Sequence, residues 1–184
     1  MALPHYSNDQ TSRSGRQFEP VQANLFEVTV LPPAGVSDAP LMLQHINSIS
    51  GLELYKAVAA VEQKYKFSTR SFAGMPDATT VDVTINFSLN LNDANQAYLY
   101  KTMRQWYNNQ YDPQTGAMGL KKDYVGTIVV VQFNRAGDIY RTVTLEDCFI
   151  ITGLPFTNDL SYTEGEPASL EIGWRCDTWK EVLA

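Results

Sequence analysis

Val81-Asp82-Val83-Thr84-Ile85-Asn86-Phe87-Ser88-Leu89-Asn90 is the stretch on which the fold turns. Val81, Val83, Ile85, Phe87 and Leu89 alternate with Asp82, Thr84, Asn86, Ser88 and Asn90 without an error. Successive side chains of a strand point to opposite faces, so this period of two describes a strand with one face on a core and the other in water. Upstream, residues 24–30 place Phe26, Val28 and Val30 on one strand face, and Pro32-Pro33-Ala34-Gly35 stops the run. A short strand over 41–49 leads into Gly51. From 57 to 67, Ala57, Ala59, Val61, Gln63, Tyr65 and Phe67 share one face, and Val58, Ala60, Glu62, Lys64 and Lys66 the other. The first half of this run is apolar on both faces, so it is expected to be a strand covered on both sides, with a neighbour borrowed from another subunit. Residues 72–77, around Gly74 and Pro76, read as a loop.

Downstream of the alternating strand the period changes. Leu99, Met103 and Trp106 stand at i, i+4 and i+7 with Thr102 beside them, while Lys101, Arg104 and Asn108 lie opposite. This predicts a helix over 93–110 lying on a sheet, with Asn92 as its N-cap and Asp93 near the positive end of its dipole. Residues 116–122 are expected to form a loop. Residues 124–133 form a β-branched strand, 134–138 (Asn-Arg-Ala-Gly-Asp) a hairpin loop, and 139–146 the antiparallel return. A last strand carries Leu170, Ile172, Trp174 and Cys176 on one face and Ser169, Glu171 and Arg175 on the other. The fold class is mainly β: an antiparallel β-sandwich or partly open barrel of about seven or eight strands with one α-helix.

With 184 residues, 44% of them hydrophobic, the chain has material for one domain with a real core. We expect a flexible, polar, turn-rich arm over 1–19 in place of a secretory signal, and one domain over 20–184 that Pro20 opens. No apolar run approaches the ~20 residues of a membrane span, so a soluble chain without a membrane partner is expected. The formal charge of −6, with Lys121-Lys122 the one adjacent basic pair, argues against a nucleic-acid-binding domain. An acidic wall suits a channel through which phosphates pass without sticking. Cys148 and Cys176 are too few for a disulfide framework and are read as reduced, half-buried thiols, with a bridge between them left open.

The residues that carry chemistry do not converge. His5 falls in the arm and His45 in mid-strand, neither with a ligand at metal spacing, so no metal and no cofactor is expected. Nucleophile-elbow, phosphate-loop and zinc-helix motifs are missing from the sequence. Glu146-Asp147 with Glu164 and Glu166 are the remaining acid/base option, but carboxylates at a strand end or a turn are normally solvated. Trp106, Tyr107, Tyr111, Trp174 and Trp179 offer a stacking platform in principle. Trp106 and Trp174 lie on core faces, however, which leaves Tyr107 and Tyr111 as candidates for subunit contacts. The chain is read as a non-enzymatic structural protein.

The order of these pieces resembles the tail tube proteins of contractile-tail bacteriophages and their relatives, the inner tubes of contractile injection systems. The resemblance rests on Asn24-Leu25-Phe26-Glu27-Val28 as first strand, and on Ile49-Ser50-Gly51-Leu52-Glu53, similar to the family's step into a long excursion. It continues through the alternating strand at 81–89 and the helix with Met103, Arg104, Gln105 and Trp106. It ends with the loop Phe133-Asn134-Arg135-Ala136-Gly137-Asp138 and Leu145-Glu146-Asp147-Cys148-Phe149-Ile150, and in all spans about residues 18–179. The arm and the 111–123 loop look longer than in small family members, and residues 54–60 are more apolar than the family's excursion.

The resemblance implies six-subunit rings whose strands join edge to edge into a shared inner barrel, stacked into a hollow tube inside a sheath. Such a tube would belong to a virion tail assembled in the host cytoplasm. It implies partners as well: copies of itself, the tail sheath, baseplate and tail terminator proteins, a tape measure protein in the lumen, and DNA in transit during genome ejection. On this reading Glu53, Lys56, Lys64, Arg70, Phe72 and Met75 belong to the contact between rings, and Asp82, Thr84, Asn86 and Ser88 face the lumen. Two alternatives stand beside it: an injection-system tube passing protein effectors, and a monomeric β-sandwich carbohydrate-binding module using Trp106, Tyr107 and Tyr111.

Overall fold

A computed structural model describes residues 21–36, 46–76, 79–89, 98–154 and 169–184. The elements run β1 (Phe26–Leu31), β2 (Ile46–Ser50), β3 (Ala60–Tyr65), β4 (Ser68–Ala73), β5 (Val81–Ser88), α1 (Tyr98–Gln110), α2 (Lys121–Tyr124), β6 (Gly126–Phe133), β7 (Ile139–Ile150) and β8 (Ser169–Leu183). Six strands form one sheet in the order β1-β6-β7-β8-β5-β2, and every pairing in it is antiparallel. The remaining two, β3 and β4, pair only with each other. This is the partly open, barrel-like β architecture that the sequence implies.

The period of two becomes the core. Val81, Val83, Ile85 and Phe87 of β5 are buried, and so are their β8 partners Cys176, Trp174, Ile172 and Leu170. Val28 and Val30 of β1, Ile128 and Val130 of β6, and Val143, Leu145, Cys148 and Ile150 of β7 continue the same face. Helix α1 closes it: Leu99, Thr102, Met103 and Trp106 are buried, while Lys101, Arg104 and Asn108 are exposed. Trp106 packs against Trp174 with ring centroids 6.2 Å apart and donates its indole N–H to the carbonyl of Tyr124 at 2.6 Å. That approach needs a glycine at the start of β6. A Cβ on Gly126 would stand 2.6 Å from both the Trp106 ring and the Leu31 carbonyl oxygen.

Several elements differ from expectation. The run 57–67 is not one strand: the chain turns at Lys66-Phe67, and β4 includes Phe72 and Ala73, which were read as loop. Beyond the 134–138 hairpin, β7 runs on past Glu146 to Ile150 and β8 past Cys176 to Leu183. A bulge carries β7 through the break in its pattern: Ile128 pairs with Leu145 but Gly126 with Cys148, and Asp147 at φ 55° takes up the extra residue. Cys148 and Cys176 are register partners with Cα atoms 4.0 Å apart, fully buried and joined as a disulfide, so the reading as half-buried free thiols is corrected. The segment between α1 and β6 is built rather than loose. Tyr111 bridges to Met118, Asp112 accepts from the Gln114 N–H at 2.9 Å and the Thr115 hydroxyl at 2.7 Å, and α2 follows. His5, His45, Asn92, Asp93, Glu164, Glu166, the arm over 1–19 and Pro20 lie outside the described residues.

Candidate assembly surfaces

Residues 57–73 are all exposed, whichever face of the β3–β4 hairpin they occupy. Pairing of Val61 with Phe72, Gln63 with Arg70 and Tyr65 with Ser68 puts an aromatic and aliphatic stripe on one face. Within it the Tyr65 hydroxyl donates to Gln63 Oε1 at 3.0 Å, and the Arg70 guanidinium lies 5.7 Å from the Tyr65 ring centroid. The other face carries Ala60, Glu62, Lys64, Thr69 and Ser71. Phe67 at the turn is 91% exposed and Met75 beyond β4 is 88% exposed. In the single subunit this apolar material meets solvent, and no cover for it comes from the described residues of the same chain.

Of the six residues assigned to ring stacking, Arg70 and Phe72 share the stripe, Lys64 sits on the opposite face, and Met75 follows the hairpin. Glu53 and Lys56 belong to the connector from β2. Four of the six therefore lie on or just beyond the hairpin, and two lie in the connector that precedes it.

Asp82, Thr84, Asn86 and Ser88 occupy the face of β5 that points away from the core. Asp82 takes a bidentate pair from Arg175 at 2.7 and 2.8 Å, which holds its carboxyl below the ordinary carboxylate range and the Arg175 guanidinium above its own. Ser88 donates to Asn47 Oδ1 at 2.9 Å. Glu171 on β8 and Ser48 and Ser50 on β2 extend this surface. Across β7 and β8 it continues as Thr144, Glu146, Thr178 and Lys180, with Lys180 and Glu146 paired at 2.5 Å. Over β5, β8 and the middle of β7 this side of the sheet is thus polar and bears paired charges, while on β6 and β1 it also carries Val129, Val131 and Leu31.

Edges are the third feature. Among the described strands β1 pairs only with β6 and β2 only with β5, which leaves one edge of each open. β8 outruns β5: it pairs with β5 over 169–176 but with β7 over 174–183. Its last residues present a further edge flanked by Val182 and Leu183, both exposed. Open edges carry unpaired N–H and C=O groups and invite another chain to pair.

The other candidate sites are not assembled. Glu146 is tied to Lys180 and Asp147 sits exposed at the bulge. Trp106 is fully buried and Tyr107 half-buried, so with Tyr111 they do not form the open platform a carbohydrate-binding reading needs. Among the described residues no three His, Cys, Asp or Glu side chains converge as metal ligands, and no described helix is long and apolar enough to cross a membrane. Sequence reasoning missed the Tyr55–Glu181–Arg141 contact described below, because its members are 40 and 126 residues apart and carry no motif.

Solved structures were compared with this arrangement. A chain of the extended sheath–tube complex of PVC, an extracellular contractile injection system, superposes with a TM-score of 0.58 at 17% identity, covering 90% of this chain and 93% of its own. A chain of the tube-terminating cap of the anti-feeding prophage gives 0.61 at 17% identity, covering 99% and 100%. The chain has the tail tube fold. A chain of the PVC sheath/tube terminator shares it as well, with a TM-score of 0.58 at 16% identity over 90% and 98% of the two chains. No protein-family model matches the sequence. No curated protein matches it in sequence. The tail tube fold is therefore established here by shape, and within it the hairpin and the edges of β1, β2 and β8 stand open among the described residues.

Proposed function

We propose that this chain is a structural subunit of a contractile tail, forming hexameric rings that stack into the hollow inner tube. The observation that carries the proposal is the β3–β4 hairpin, whose every residue is exposed although one face carries Val61, Tyr65 and Phe72. Two strands alone are marginal in water, so such a hairpin requires a surface to lie on. The open edges of β1, β2 and β8 would pair between neighbours to close a common barrel, which removes the edges. In that barrel Asp82, Thr84, Asn86 and Ser88 line the lumen with the rest of the polar sheet face. Glu53, Lys56, Lys64, Arg70, Phe72 and Met75 form the contact between rings. Sheath, baseplate and terminator proteins are the outer and end partners, with a tape measure protein in the lumen, and the chain has no catalytic role of its own.

For the cargo, the leading reading is a phage virion tail that conducts DNA, supported by the formal charge of −6, which keeps phosphates from binding the wall. The second reading is the inner tube of an injection system that passes protein effectors. It is favoured by the matching solved structures, which come from PVC and the anti-feeding prophage. Neighbouring genes for a capsid and a portal separate the two. Negative-stain microscopy of purified protein tests the shared core of both: rings or hollow tubes are expected, and a globular monomer at every concentration overturns it.

A further inference from the structure

Among the described residues the hairpin makes no sheet pairing with the body, yet the connector leading to it meets the body at three points. Gly51 turns with φ +84°, and a Cβ there would stand 2.3 Å from the carbonyl oxygen of Asp82 on β5. Leu54, three residues on, is buried in the core. Tyr55, next in the chain, stands edge-on to Trp179 with centroids 5.1 Å apart, and its hydroxyl donates to Glu181 Oε2 at 2.9 Å. Closing the neck, the Gly74 N–H donates to the Ala59 carbonyl at 2.8 Å, so both legs of the hairpin leave together.

Tyr55 is the outermost of these anchors and the only one that holds by a side-chain hydrogen bond. It remains 75% exposed, so its burial contributes little to the fold. Its acceptor is nevertheless prepared. Arg141 Nε donates to Glu181 Oε1 at 2.6 Å, Arg141 Nη1 reaches Gln132 Oε1 at 3.3 Å, and the Tyr140 hydroxyl donates to the same Gln132 oxygen at 3.2 Å. A network spanning β6, β7 and β8 thereby fixes a carboxylate oxygen for one tyrosine from the connector. The tyrosine and arginine contacts hold the Glu181 carboxyl below the ordinary carboxylate range.

We propose that Tyr55, held by Glu181 and Arg141, is a positioning residue that sets the direction in which the β3–β4 hairpin projects and thereby readies the subunit for docking on another copy. The docking half of this rests on the tube reading; the direction half does not. The hairpin hangs from a short neck, so release of its last anchor frees the whole element to swing while the core stays intact.

The test places thiol-directed spin labels at Thr69→Cys on the hairpin and Thr178→Cys on β8, both exposed, in the full-length subunit kept below its assembly threshold. The native cysteines are bonded and buried and do not react. Pulsed distance measurement on otherwise wild-type protein is expected to give one narrow distribution. Tyr55→Phe, which keeps the ring on Trp179 and removes only the hydroxyl, is expected to broaden it about two-fold by admitting further orientations. Glu181→Gln is expected to do the same, and the double variant no more than either alone. An unchanged melting temperature in Tyr55→Phe, and one lowered only slightly in Glu181→Gln, are part of the expected result. A distribution equally narrow in wild type and both variants overturns the inference, whether or not the protein forms tubes. If the distributions broaden and no tubes form under any condition, the positioning role stands and the tube reading falls.

Discussion

Replacing Phe67 and Phe72 together by serine removes the most solvent-exposed aromatic surface of the hairpin and touches no core residue. Phe67 is 91% exposed and Phe72 49%. Full burial of a phenylalanine is worth about 1.5–3 kcal/mol. Scaled by these exposures, docking would gain about 2 kcal/mol from Phe67 and about 1 kcal/mol from Phe72. The double variant therefore gives up about 3 kcal/mol per docked hairpin, which is a factor of about 100 in an association constant. Stability of the isolated subunit is expected to change by no more than about 0.5 kcal/mol, the range of surface substitutions remote from the core. Pelleting across a dilution series, with negative-stain imaging of each fraction, reads the assembly threshold, and circular dichroism reads the melt. A threshold shifted upward about 100-fold with an unchanged melt is the expected pair of results. Tubes growing at the wild-type threshold would refute the docking role, and a collapsed melt would refute the claim that the hairpin stands apart from the core.

Charge reversal at Lys64 and Arg70 should slow or abolish tube growth in a turbidity or pelleting assay, since three basic residues against Glu62 make this arm cationic on a chain of net charge −6; growth at the wild-type rate would remove them from the contact. A cationic thiol label at Asn86→Cys should react in assembled tubes as readily as in free subunits, because that face is expected to line an open lumen; reaction only after disassembly would place it elsewhere. Reduction should lower the melting temperature, and alkylation mass spectrometry should find no free thiol before it: the 28-residue separation of Cys148 and Cys176 corresponds to about 3.5 kcal/mol of chain entropy. That is about 7–14 °C for a chain of this size. Asp82 and Glu181 have carboxyls held below their ordinary range, so their contribution to stability is fully present at neutral pH and is lost as pH falls through their depressed values. A melting temperature that declines only below about pH 4, less steeply in Asp82→Asn/Glu181→Gln, is the expected profile, small because these pairs are near solvent.

The parts of the fold legible in the sequence are those whose periodicity is enforced by burial. β5 shows perfect alternation because every second residue enters the core, and α1 shows its i, i+4, i+7 stripe for the same reason. The β6–β7 hairpin is announced by Asn134-Arg135-Ala136-Gly137-Asp138, where Gly137 at φ +90° supplies the conformation a tight turn requires. The β3–β4 turn is silent by contrast. Lys66-Phe67 contains no Gly, Asn or Pro, both residues keep negative φ, and alternation runs on through them, so a hairpin reads as one strand. The ends of β7 and β8 were hidden differently. At Glu146-Asp147 the inward positions shift from Val143 and Leu145 to Cys148 and Ile150, and β8 shifts with it from Cys176 to Trp179. A bulge changes the phase without ending the strand, whereas a pattern of strict period two reports an end. The disulfide was illegible for the same reason, since it depends on the register that the bulge preserves between β7 and β8.

The candidate surfaces follow a related logic. The outward residues of β5 were readable because they are the polar half of an alternation whose other half is buried within the same chain. Residues of the hairpin were recognisable as anomalous, since apolar positions on both faces of 57–61 have no explanation inside a small domain, yet their geometry was not, because no contact within the chain selects it. The charges on the arm complete the argument. Glu62, Lys64, Lys66 and Arg70 are interleaved with Val61, Tyr65, Phe67 and Phe72, a pattern that keeps an exposed apolar strand pair soluble and out of wrong pairings until its proper surface arrives. If the proposed tube reading holds, a subunit made singly before it joins a polymer needs both properties on one element: enough apolar surface to hold once docked, and enough charge to wait.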